Sequence, residues 1–218
     1  MKDIRPTRGA SMLQRMIAEG EHVHQDFKYT ISDARKIARS LSAFANNEGG
    51  RLLIGVKDNG IIAGVRNEED VFVVEEAAEI YCDPPQHVEF KALKARGGLE
   101  VIIASIEASQ QRPVRVKEAD SSPRAYFRVA DENIAAHPLM VECWEAGNSS
   151  TAAALTPLHN AILTAVARKN RLLDLLELAI EVHASNALTR NAVIDLAASG
   201  LLSFTYNHGN FYLTTDSE

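Results

Sequence analysis

After Ser32 the apolar residues fall at helical spacing: Ile37, Leu41, Phe44 and Ala45 form one stripe, and Arg35, Lys36 and Arg39 occupy the other face. Ser32 is the expected N-cap. Asn46-Asn47-Glu48-Gly49-Gly50 is the expected stop, since Asn and Gly tolerate the positive φ of a helix C-cap. Two apolar runs, 52–56 and 61–65, then flank Asp58-Asn59-Gly60, which is the signal of a tight β-hairpin. A second helix is expected from Asn67 to about Tyr81, with Glu68, Glu69 and Asp70 suiting its positive end and Pro84-Pro85 ending it. Beyond it, strand patterns dominate at 88–93, 100–106, 114–116 and 125–129, joined by Gly97-Gly98 and by a turn at 120–123. This is the text of an α+β domain with largely antiparallel strands.

The small and polar stretch 145–154 has neither period and reads as a linker. It divides the chain into an expected first domain at 1–144 and a second at 155–218, and there is no internal repeat. The second begins with a helix at 157–169, with Ile162, Leu163 and Val166 inward. A helix at 172–183 follows, then a third capped by Thr189 and ending at Ser199-Gly200. A hairpin, 201–206 and 211–214, turns at Asn207-His208-Gly209-Asn210. Three short helices followed by a two-stranded hairpin is the winged-helix order.

Composition changes this picture little. The 218 residues are 46% hydrophobic and 24% charged, as in ordinary globular domains. No apolar run approaches a membrane span, and the N-terminus lacks the apolar core of a secretory signal. Cys82 and Cys143 make neither a metal spacing nor a disulfide framework, which suits the cytoplasm. The net charge of −6 excludes an all-over basic coat, but the first 40 residues carry eight Lys or Arg against five Asp or Glu. A local basic surface therefore stays open. Its expected members are Lys28 on a strand and Arg35, Lys36 and Arg39 on the following helix, extended by Arg115, Lys117 and Arg128. Such residues meet phosphate with salt-sensitive affinity and little sequence selectivity. In the second domain Arg190 and Asn191 lie near the start of the third helix, where base contacts are expected. Against that, residues 151–218 hold four Lys or Arg against six Asp or Glu, and the wing has no Lys or Arg. Major-groove reading and protein contact are equally compatible with that balance.

Two further motifs carry less. Gly50-Arg51-Leu52-Leu53-Ile54-Gly55 mimics the glycine spacing of a P-loop, but Val56-Lys57 replaces the Lys-Ser/Thr, so no nucleotide cofactor is expected. His22, His24 and Asp26 share a face if that segment is extended, the pattern of a metal cluster or simply of a polar sheet face.

The segment 21–28 (EHVHQDFK), then Ala43-Phe44-Ala45-Asn46, Gly49-Gly50 and the run 53–58 (LIGVKD) resemble the Schlafen AlbA-like family. Pro113-Val114-Arg115-Val116 and Ala125-Tyr126-Phe127-Arg128-Val129 are similar to its closing hairpin. The resemblance covers roughly residues 12–140. It implies one of two functions. Bacterial members are usually labelled DNA-binding, often with a C-terminal winged helix, and are read as transcriptional regulators. In animal Schlafen proteins a related fold cleaves structured RNA with three carboxylates and a divalent metal. Carried onto this sequence, those carboxylates are Glu21, Asp26 and Asp58, with Lys28 beside them; Asp26 stands where Glu is usual. Mg²⁺ or Mn²⁺ takes oxygen ligands, and a Lys offsets phosphate charge. On one regular strand, however, Glu21 and Asp26 point to opposite faces, because five is odd, and they converge only if Glu21 lies at a helix end or bulge.

The leading expectation is a non-enzymatic, homodimeric, cytoplasmic DNA-binding regulator that needs no cofactor. The alternative is a metal-dependent endoribonuclease using Glu21, Asp26, Asp58 and Lys28. A third reading is a protein-interaction or dimerisation module.

Overall fold

The computed structural model describes residues 7–65, 69–119, 121–147, 154–168 and 171–215, and it divides into two compact units that meet in sequence at Ala136–His137. The first contains β1 (Thr7–Arg8), α1 (Ala10–Glu19), β2 (Gln25–Lys28), α2 (Ala34–Asn46) and β3 (Gly50–Ile54). It continues with α3 (Glu69–Glu76), which runs into a π-helical turn at Ala77–Tyr81, then β4 (Cys82–Asp83), β5 (Glu89–Lys94) and β6 (Glu100–Ile106). It closes with β7 (Arg115–Val116), β8 (Arg124–Val129) and β9 (Glu132–Ala135). The second contains α4 (Pro138–Gly147), α5 (Pro157–Ala167), β10 (Arg171–Leu172), α6 (Leu175–Glu181), α7 (Asn186–Ala198), β11 (Ser203–Asn207) and β12 (Asn210–Thr214). The α+β class holds, and among the described residues only β1–β5 and β2–β3 are parallel.

In the first unit a five-stranded sheet, ordered β1-β5-β6-β3-β2, is buried on both faces. The period of two sorts its residues. Leu53, Val101 and Ile103 pack with Leu13 and Met16 of α1, while Leu52, Ile54, Ile102 and Ala104 pack with Leu41 and Phe44 of α2. Helix α2 lies between this sheet and a second one, β4-β7-β8-β9, which is why its last turn is buried all round. Its cap is Asp33 rather than Ser32: the Asp33 carboxylate accepts from the amides of Arg35 and Lys36 at 3.0 and 3.2 Å. The chain leaves α2 through Gly49 at φ +81°, where a Cβ would stand 2.7 Å from the Ile106 carbonyl oxygen.

The hairpin expected at 52–65 is not formed. The turn at Asp58-Asn59-Gly60 exists, but only the bridge Val56–Ile62 follows it. Gly55, at φ +94°, packs backbone to backbone on Gly64, and β3 takes its ladders from β6 and β2 instead. The helix expected from Asn67 is described from Glu69, because residues 66–68 lie outside the described residues, as does Asp120 of the 120–123 turn.

In the second unit β10 joins the terminal hairpin to make a three-stranded sheet, β10-β12-β11, beside α5, α6 and α7. The third helix starts four residues earlier than expected: Ser185 caps it, and Thr189 is buried with its hydroxyl on the Ser185 carbonyl. Helix α4 spans the end of the stretch 1–144 expected from sequence to be the first domain and the first three residues of the expected linker. Leu139 and Cys143 nevertheless pack in one cluster with Ile162, Val193 and Leu196. Residues 148–153 of the expected linker lie outside the described residues. Both cysteines are free and buried, and no helix among the described residues is long and apolar enough to cross a membrane.

Candidate functional site

Two clusters of charged residues stand out in the first unit. The first is built on β2, an edge strand. Asp26 pairs in register with Leu52, so it points to the α2 side of the sheet, and Lys28, two residues on, points the same way. The Lys28 ammonium lies 2.6 Å from one Asp26 oxygen and the Arg128 guanidinium 3.2 Å from the other. Glu21 reaches the same place because α1 ends at Gly20 and residues 22–25 turn, closed by reciprocal amide bonds between His22 and Gln25 of 2.9 and 3.0 Å. That turn removes the parity conflict. The Glu21 carboxylate accepts from the Phe27 amide at 2.8 Å, and the two carboxyl groups hydrogen-bond to each other.

Their protonation follows. Burial, and then the bond to Asp26, push the Glu21 carboxyl above its ordinary value. Burial pushes Asp26 the same way, but the Glu21 bond, the Lys28 ammonium and Arg128 outweigh it and hold Asp26 low. The pair thus carries a proton preferentially on Glu21. A carboxyl raised in the folded state contributes stability below its unfolded value and loses it as pH rises through the folded value. Glu21→Gln removes the charge and keeps an acceptor for Phe27. It is expected to raise the melting temperature at neutral pH, with the gain vanishing below about pH 4.5, the unperturbed Glu value. Thermal melts across pH check this, and a neutral-pH melting point at or below the parent's would refute it.

Arg128 requires a correction. Expected on a phosphate-binding surface, it is 3% exposed. Its guanidinium donates to the carbonyls of His22 and Gln25 at 3.0 and 3.3 Å and to Asn133 at 2.8 Å, and stands 5.0 Å from the Phe44 ring centroid. It anchors the turn that carries Glu21 and is closed to phosphate.

Asp58 does not join Glu21 and Asp26. It lies on the exposed turn six residues past Leu52, the strand partner of Asp26. Among the described residues no three His, Cys, Asp or Glu side chains are grouped to hold a metal ion. The fit for a divalent ion on three carboxylates is therefore poor, and both Asp26 oxygens already face fixed cations. His22 and His24 are drawn into the turn: the His22 ring accepts from the His24 amide, and His24 Nδ1 lies 3.0 Å from the Gly49 carbonyl oxygen.

The second cluster joins α2 to β7 and β8. Arg35 stacks on Tyr81 with its guanidinium carbon 4.8 Å from the ring centroid, and the Lys117 amide donates to the Tyr81 carbonyl at 2.9 Å. Arg39 is half-buried rather than free on the helix face. Its Nε and terminal nitrogen donate to the two oxygens of Glu118 at 2.9 and 2.7 Å. The Tyr126 hydroxyl donates to Glu118 at 2.6 Å. The Arg39 bond holds the Glu118 carboxyl low against the pull of burial, with Tyr126 and the charge of Arg124 adding to it. Lys36, Lys117 and Arg124 are exposed, and Arg115 is half-buried on β7. The packing of α2 on β7 and β8 thus sets Arg35 and Arg39 beside Tyr81 and Glu118, with Lys117 adjoining both and Lys36 exposed on the same helix, whereas Arg115, between the buried Val114 and Val116, points to the opposite face of β7. Sequence reasoning does not find Tyr81, Glu118, Arg124 and Tyr126. The partners Arg39 and Glu118 are 79 positions apart, so no local pattern links them.

In the second unit Arg190 pairs with Glu142, and Asn191 is exposed on the first turns of α7. Glu142 is on α4, so that helix neutralises the one Arg of α7.

A family model described as Schlafen, AlbA_2 matches residues 21–137. No curated protein matches. Among solved structures, the DIP2311 protein from Corynebacterium diphtheriae is 19% identical, with a TM-score of 0.45, over 71% of this chain. The present chain covers only 33% of that one. The N-terminal domain of a RecG-related protein from Nitrosomonas europaea is 20% identical, with a TM-score of 0.41, over 56% of this chain and 88% of that one.

Proposed function

The chain belongs to the Schlafen AlbA_2 family, and on that premise we propose that it is a non-enzymatic nucleic-acid-binding regulator of transcription, with DNA as its target. The observation that carries this reading is the basic side of the first unit. There Arg35 stands over Tyr81 and Arg39 over Tyr126, Glu118 is the internal counter-charge, Lys117 adjoins Tyr81 and Glu118, and Lys36 and Arg124 are exposed on the helix and the hairpin that carry them. Cations spaced along a helix and an adjoining hairpin suit successive phosphates, and an aromatic ring among them suits a sugar or base. Such a patch works within a chain of net charge −6, because binding depends on local charge.

We read the second unit as a winged helix. Its order of helix, short strand, two helices and hairpin supports that reading, as does β10 completing a three-stranded sheet. Its Arg190 is already paired, its hairpin carries no Lys or Arg, and Leu176, Ile180 and Leu188 are 60, 68 and 58% exposed. Those features favour self-association into a dimer over major-groove reading for this unit. The endoribonuclease alternative needs three converging carboxylates, of which two meet here.

Labelled duplex DNA and hairpin RNA, titrated by fluorescence anisotropy across salt and repeated with Mn²⁺ or chelator, test the reading. Binding is expected to weaken steeply with salt. K36E/K117E is expected to weaken it roughly tenfold or more and to lower the salt slope by about 1 for each cation withdrawn from phosphate. No binding at low salt would overturn the proposal. Mn²⁺-dependent shortening of RNA that disappears in Asp26→Ala would replace it with the nuclease reading.

A further inference from the structure

Glu118 is charged, yet its side chain is only 8% exposed, whereas that of Arg39, which holds it, is 41% exposed. Three donors converge on this one carboxylate: two from the Arg39 guanidinium, at 2.9 and 2.7 Å, and the Tyr126 hydroxyl at 2.6 Å. The positive charge of Arg124 acts on the same group. A guanidinium fork and a phenol hydroxyl on one anion with two accepting oxygens form a donor set that a phosphodiester takes.

We propose that Arg39 and Tyr126 form a phosphate-binding site that is occupied in the free protein by the chain's own Glu118. A backbone phosphate then binds by displacing the Glu118 carboxylate, which lies next to Lys117 at the end of β7 and leads into the exposed turn 121–123. This rests on the reading of the α2–β7–β8 side as the phosphate-contacting surface. The competition has a definite sign. If Glu118 occupies the site, removing it strengthens anion binding. If Glu118 only holds Arg39 in position, removing it weakens binding.

Glu118→Ala vacates the site, and Glu118→Gln keeps the shape without the charge should the alanine variant fold poorly by circular dichroism. Each is compared in the full chain with the parent, with Arg39→Ala and with the Arg39→Ala/Glu118→Ala double variant. One arm measures anisotropy of labelled duplex DNA across salt. The other measures melting temperature in inorganic phosphate against chloride at equal ionic strength. Glu118→Ala is expected to tighten DNA binding about tenfold at low salt, the size of one charge-assisted contact, and to steepen the salt slope by about 1. Phosphate is expected to raise its melting temperature above that of the parent, and the double variant to lose both gains. Parent-like DNA binding by Glu118→Ala or Glu118→Gln, with no added stabilisation by phosphate, overturns the inference while leaving the surface reading intact. A phosphate gain without DNA binding by any variant upholds the anion site, assigns it to free phosphate and overturns the surface reading.

Discussion

Arg128→Ala is expected to lower the stability of the first unit by about 4 kcal/mol, on the order of 10 °C in melting temperature, the largest effect of any single change outside the apolar core. Three groups lose a donor at once: the carbonyls of His22 and Gln25 and the side chain of Asn133. Asp26, with a side chain only 6% exposed, loses one of its two cations and keeps Lys28 alone. Truncating one partner of a buried pair leaves the other charge uncompensated, and that penalty exceeds the net worth of the pair. Arg128→Lys should recover little, since an ammonium cannot make the fork that reaches two carbonyls and Asn133 together. Asp26→Asn/Arg128→Met should cost clearly less than the sum of its single changes, because no unpaired charge remains. Thermal melts by circular dichroism measure these three variants and the single changes Asp26→Asn and Arg128→Met. A loss under about 3 °C for Arg128→Ala would mean that water reaches the site and that the pair is not the anchor described here.

Asn46→Leu is expected to cost about 3 kcal/mol: the two side chains branch at the same carbon, but the position is 2% exposed and its polar contacts are lost. Asn46 is the joint between α2 and the β7–β8 hairpin. Its amide nitrogen donates to the carbonyls of Val114 and Tyr126 at 2.9 and 2.8 Å, and its oxygen accepts from the Val114 amide at 2.7 Å. Leucine satisfies none of them: the buried Val114 amide and Tyr126 carbonyl are left without partners, and the Val114 carbonyl keeps only the Ser42 hydroxyl at 2.8 Å. The functional readout should follow, because the same joint holds Tyr126 of β8 beside Arg39 of α2. The variant should bind DNA less tightly than its residual folded fraction predicts. Wild-type stability together with wild-type binding would show the hairpin to be positioned by its apolar contacts alone.

How much of this arrangement is legible in the sequence depends on how local the determining contacts are. Strand β6 is legible to the residue, because an apolar run with a flanking Gly-Gly turn is a local signal and both faces of the strand are buried. The three helices and hairpin of the second unit are legible within about three residues at most boundaries for the same reason. Helix α1 is absent from the expected elements, although Leu13, Met16 and Ile17 have helical spacing. The hairpin expected at 52–65 fails because a turn signal says nothing about Gly55 finding Gly64 as a backbone neighbour. Among site residues, Asp26 and Lys28 share a face by parity alone, and the sequence shows that. Glu21 joins them only through a turn whose anchor, Arg128, lies more than 100 positions away. Arg128 itself alternates outward in the text of a β-strand, and only the fold encloses it. Burial of a charge is a property of what closes over it, and for Arg128 and Glu118 that is distant chain.

The placement of α4 bears on how this chain can be cut and recombined. Leu139 and Cys143 are 3 and 5% exposed within the second unit's cluster, and Glu142 engages Arg190 of α7. A graft that exchanges the C-terminal unit for another must therefore carry Pro138–Gly147 with it, and its junction belongs at Ala136–His137. A junction at 148–153, where the small polar residues invite it, would leave an orphaned apolar helix on one product and an open core on the other. The seam of this protein lies a helix upstream of the place where its sequence looks most easily parted.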